Sequence, residues 1–155
     1  MTDVLLQCFA NGATGVSLFW PPYVDDPGVY LAVAQAIDLA APYEEILLNG
    51  TAAAGAVTVH SGNAVASAIR DARHRHFIAI SPDAIMKHGG TGRPPSSRIE
   101  VTFDSGGVGS MELRDLRTHS RTACASKCRV KLALDATAVF VFEPARRRAE
   151  ARGDR

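Results

Sequence analysis

The hydrophobic period changes near residue 50 of this 155-residue chain, from helical spacing to strict alternation. No single regular architecture accommodates both periods, so two kinds of structure must meet. Ahead of the change, residues 13–20 (ATGVSLFW) form a short apolar run that Pro21-Pro22 cuts off, as expected of a buried strand. Asp25 and Asp26 followed by Pro27 are a capping carboxylate and a first-turn proline, which start a helix. Tyr30, Val33, Ala34, Ile37 and Ala41 then recur at helical spacing and predict its buried face. Pro42 ends it, because the residue before a proline is pushed out of the α region. Upstream, residues 4–10 (VLLQCFA) read as a short helix, with Asp3 as its cap and Asn11-Gly12 as its stop. A helix that short needs a surface to pack on. Residues 42–50 read as a connector tethered by Tyr43, Ile46, Leu47 and Leu48, and 51–55 as a small, polar boundary.

Beyond the change, Val57 and Val59 alternate with Thr58 and His60. Residues 65–70 and 77–81 are further strand candidates, separated by the polar turn 71–75. Residues 82–97 are rich in Gly and Pro and read as a loop. In 98–104 (RIEVTFD), Ile99, Val101 and Phe103 point one way, Glu100 and Thr102 the other. Strands are also expected at 111–116, 128–134 and 138–143, the last stopped by Pro144. Short strands at this spacing predict an antiparallel sandwich. The tail from Arg146 is mixed charge with no apolar residues to bury beyond alanine, and is expected to be solvated or disordered.

A net charge of +1 gives no reason to expect nucleic acid or an anionic membrane as partner. No apolar run approaches the roughly 20 residues of a membrane helix. Residues 1–3 do not read as a signal peptide, which makes a cytoplasmic location the default expectation. Three cysteines are too few for a disulfide framework, so a reducing compartment is expected.

The order helix end, buried strand, helix and small β-domain resembles the final β/α unit of TIM-barrel glycoside hydrolases. In those enzymes the eighth strand follows a Gly-containing turn and ends in an aromatic at the catalytic face. The eighth helix then leads into a C-terminal β-sandwich. Trp20 stands where that aromatic would be, FIAIS resembles a strand of those sandwiches (with Ser81-Pro82 in place of the usual Asn), and AVFVFEP resembles their closing strand. The resemblance implies a C-terminal piece of a larger enzyme. The paired carboxylates that glycoside hydrolysis needs would lie on strands this sequence does not contain, and a complete barrel takes about 200 residues or more.

Each candidate site has a plainer counterpart. Trp20 and Tyr23 could stack on a sugar, or pack against the following helix. Asp25 and Asp26 could rim an active site, but capping explains them. His119, Cys124 and Cys128 lack the second tight pair of a zinc site, and Cys8 is remote. Two unrelated cysteines account for the spacing; a local disulfide is the alternative in an exported protein. His74 and His76, with His60, could form a metal patch, yet Arg73 and Arg75 beside them favour a solvated turn. HGGTG at 88–92 faintly resembles an oxyanion-hole loop, but the chain has no G-x-S-x-G elbow to go with it. Arg146, Arg147 and Arg148 could touch an acidic partner or belong to a soluble tail.

The expectation is an α+β chain: a barrel-type β/α unit over 1–50, an antiparallel β-sandwich over 51–145 and a charged tail over 146–155. The function expected is structural and accessory, without catalytic residues, cofactor or metal. Carbohydrate would be met through the parent enzyme, and the strand at 13–20 would leave the isolated chain prone to self-association. The alternative is a stand-alone β-sandwich binding or assembly module.

Overall fold

The computed structural model describes residues 1–15, 26–83 and 97–145. The strand expected at 13–20, the HGGTG loop and the arginine-rich tail lie wholly or largely outside them. The fold is α+β, with helices first and an antiparallel sandwich after.

Helix α1 (Thr2–Ala10) buries Leu5, Leu6, Gln7 and Ala10. Asp3 does not cap it: its carboxylate instead accepts hydrogen bonds from the Thr137 backbone N–H at 2.8 Å and from Arg117 at 3.1 Å. Asn11-Gly12 stops the helix as expected, with Gly12 at φ +97° and its N–H on the Phe9 carbonyl. Helix α2 (Pro27–Ala40) starts as its sequence dictates. Asp26 accepts from the Gly28 N–H at 2.8 Å, and Pro27 takes the first turn.

Pro42 does end α2, but residues 42–50 are more than a connector. Ala41–Tyr43 makes a 3-10 turn, and Glu44–Asn49 forms a third helix, α3. The two first-turn glutamates favour it through the helix dipole. Gly50 then turns the chain tightly, because any Cβ there would meet the Ile69 side chain and the Ile46 carbonyl.

The strands are β1 (Thr51–Ala52), β2 (Val57–Ser61), β3 (Ala64–Arg70), β4 (His76–Pro82), β5 (Ser97–Asp104), β6 (Met111–Asp115), β7 (Arg121–Cys124), β8 (Lys127–Leu134) and β9 (Ala138–Pro144). One sheet runs β1-β3-β4-β9-β6-β7 and the other β2-β5-β8. Sequence reading missed β7, whose four residues pair with β6 at one edge.

Two cores result. Between the sheets, Ile78, Ile80, Ile99, Val101, Phe103, Phe140 and Phe142 close the sandwich. Phe103 meets Phe140 edge-on at 5.2 Å between ring centroids. On the other face of the larger sheet, Phe77, Ala79, Val139 and Val141 lie under the helices, against Leu6, Ala36, Ala40 and Ile46. Every residue of β4 is therefore buried, which is why FIAIS is nearly continuously apolar while β5 alternates.

Candidate functional site

Trp20, Tyr23 and Asp25 lie outside the described residues, and Asp26 is occupied in capping α2. Among the described residues, the largest exposed apolar side chains gather instead on α2. The predicted face is not the buried one: Val29, Ala36 and Ala40 are buried, with Val33 partly so. Tyr30 is 53% exposed and Ile37 49% exposed, and Ala34 and Ala41 are also in solvent. Leu31 is 60% exposed. The helix is apolar almost all round (PGVYLAVAQAIDLA), so periodicity alone could not choose between its faces.

The bare face continues into a groove of about 230 Å³ between the end of α1, α2 and α3. Phe9, Ile37, Ala40, Leu47 and Leu48 give it an apolar lining, and Ala13 and Thr14 close one end. Leu48 adds another large apolar side chain, 53% exposed.

Polar anchors fix this helical layer to the sheet. Gln7, 1% exposed, donates through Nε2 to the Val65 and Ala79 carbonyls and to Ser81 Oγ at 2.9 to 3.2 Å. Ser81 in turn bonds Thr137 at 2.6 Å. Asn11 Nδ2 reaches Ser67 Oγ at 2.8 Å. At the other end, Glu45 of α3 pairs with Arg73 at 3.3 Å and Arg75 at 2.7 Å. These arginines belong to the 71–75 turn, which Asp71 holds by accepting from the Arg73 and Arg75 N–H groups at 2.9 Å each and from Arg75 Nε at 2.7 Å. Burial works against ionising Asp71, but the Arg75 and Arg73 bonds outweigh it and hold the carboxyl below its ordinary range.

The other candidates scatter. His74 stands exposed in the turn at φ +60°, as a solvated turn predicts. His76 does not: it begins β4, is 1% exposed and hydrogen-bonds the Phe142 carbonyl through Nδ1 at 3.2 Å. Its strand starts one residue before the apolar run, which hid it. His60 bonds Thr102 across the smaller sheet at 2.8 Å. Cys124 and Cys128 are not unrelated: they form a disulfide, with Cα atoms 5.3 Å apart. It joins the end of β7 in one sheet to β8 in the other across a two-residue turn. Such bonds persist in oxidising compartments. Cys8 is a free, exposed thiol on α1. Among the described residues, no group of three or more His, Cys, Asp or Glu side chains is placed to hold a metal, and no helix is long and apolar enough to cross a membrane.

No family model matches this chain, and no curated protein does. Solved structures do. A GH27 β-L-arabinopyranosidase from Geobacillus stearothermophilus superposes with a TM-score of 0.53 at 15% identity, over 94% of this chain and 31% of that one. A provisionally assigned α-N-acetylgalactosaminidase from Bacillus halodurans C-125 gives 0.53 at 10% identity, over 94% of this chain and 32% of that one. This chain therefore spans about a third of each structure it matches. At these identities the likeness is one of fold. It takes in the helices and the sandwich together, since 94% of the chain cannot be covered by either alone.

Proposed function

We propose that this chain is the accessory C-terminal part of a glycoside-hydrolase-like protein. Its sandwich braces a catalytic barrel, and its helical layer packs against the barrel's remaining elements. The bare apolar face of α2 carries this reading: Tyr30, Leu31 and Ile37 are 49–60% exposed on a helix whose opposite face is already buried. A helix apolar on both sides belongs between two layers, and among the described residues only one is present. The shared fold with about a third of two longer structures supports the same reading. In the assembled protein, Trp20 and Tyr23 are the residues offered to a sugar. Alone, the chain is catalytically silent.

The coding frame upstream of the Met1 codon tests this. Continuation for roughly 250 residues of alternating strands and helices, with carboxylates at strand ends, is expected. A stop codon directly upstream, together with a monomeric chain in solution, overturns it in favour of a stand-alone sandwich module.

A further inference from the structure

At one end of the sandwich, where the two sheets part, lies a hollow of about 340 Å³. Its wall is the small-residue segment 52–56, which leaves the space open, and its polar groups are Arg70, His76 and Asp104. Arg70 and His76 are direct cross-strand partners on β3 and β4, so both side chains leave the sheet on the same face. A Cβ placed on Gly106 would sit 3.5 Å from the Arg70 guanidinium, so that side chain lies over the Gly106 turn. Arg70 has no carboxylate within ion-pairing distance among the described residues.

The protonation pattern follows from the partners. A carbonyl oxygen only accepts, so the bond to Phe142 requires the proton on His76 Nδ1. The neutral ring then presents Nε2 as a lone pair. Burial favours that neutral form, setting the His76 pKa below the ordinary histidine value. Asp104 is already engaged by Lys127 at 2.9 Å and by the Gly106 N–H at 2.9 Å, which offsets its charge. The hollow thus combines an exposed cation with no ion-pair partner among the described residues, an acceptor lone pair on an otherwise buried ring, and a braced carboxylate. A plain anion offers Nε2 no donor of its own, and a neutral sugar offers Arg70 no anion.

We propose that this hollow binds a small hydroxy-carboxylate of the kind a sugar acid presents. The carboxylate lies on the Arg70 guanidinium, and an adjacent hydroxyl donates to His76 Nε2. This site stands whether or not the chain belongs to a larger hydrolase, because every group in it comes from the sandwich.

The test is NMR and calorimetric titration of the full chain with D-galacturonate, D-galactose and acetate. Saturable binding of galacturonate with shifts at the His76 ring is expected. Galactose and acetate should each bind at least about tenfold more weakly, the scale of losing a charge-assisted hydrogen bond. Arg70→Gln, at an exposed position, should lose galacturonate binding by a similar factor while its spectrum elsewhere stays unchanged. His76→Gln is the second variant and is read only if its spectrum shows the native fold. Absence of saturable galacturonate binding, equal binding of galactose, or full affinity in Arg70→Gln would each overturn the assignment.

Discussion

Asp71 and His76 lie five residues apart and make opposite demands on protons, yet both tie stability to pH in the same direction. The folded state holds the Asp71 carboxyl below its ordinary value, because the Arg75 and Arg73 bonds outweigh its burial. Its contribution is therefore complete above about pH 4 and is lost as pH falls through the folded pKa. The His76 pKa is lowered chiefly by burial, so the unfolded chain takes up its proton first. Its contribution is complete above roughly pH 6.5 and declines as pH drops below that. Urea denaturation between pH 8 and 3 should accordingly show two separate losses. Asp71→Asn should reduce the lower one, to which Glu100 and Asp104 also contribute, leave the upper one, and cost about 1–3 kcal/mol at neutral pH through the charge-assisted Arg75 bonds it loses. Loss of both steps together in that variant would mean that the turn and the strand are not independent. The Asp71–Arg75 lock was legible as a polar turn, but its second layer of pairing, to Glu45, depends on α3 and could not be seen locally.

At the scale of elements, helix α2 explains both the success and the failure of pattern reading. Its ends were legible because caps are local chemistry: Asp26, Pro27 and Pro42 act within a turn of themselves. Its buried face was not legible, since an all-apolar helix has no polar stripe to mark solvent. Strands β5 and β9 were legible for the opposite reason, as one alternates against water and the other is packed on both sides of its middle residues. The disulfide stood in the sequence only as the alternative, because it depends on β7 leaving one sheet just before β8 enters the other. The bare face gives a direct prediction. Tyr30→Lys combined with Ile37→Glu should change the stability of the isolated chain by no more than about 0.5 kcal/mol, as exposed sites do. It should also reduce self-association measured by sedimentation. Loss of the fold would show that these side chains are covered within the chain after all. Gly50→Ala tests the corner between α3 and β1. With no room for a methyl group there, it should cost about 1–3 kcal/mol in a thermal melt.

For the whole molecule, the two sheets are tied at one edge by a covalent loop that spans only positions 124–128. Closing so short a loop is worth about 2 kcal/mol in the chain-entropy treatment. Reductant should therefore lower the melting temperature by roughly 4–8 °C for a chain of this size, leaving far-UV circular dichroism at low temperature unchanged. Phe103→Ala, at the centre of the inter-sheet core, should cost more, about 3–5 kcal/mol. Strand β4 belongs to both cores at once: Ile78 and Ile80 face the partner sheet, and Phe77 and Ala79 face the helices. Stripping away the helices would leave the sandwich with an oily back. A protein engineer moving this sandwich to another scaffold would thus need to carry α1, α2 and α3 with it rather than cut at Gly50. The packing unit is the sandwich together with the helices that roof it.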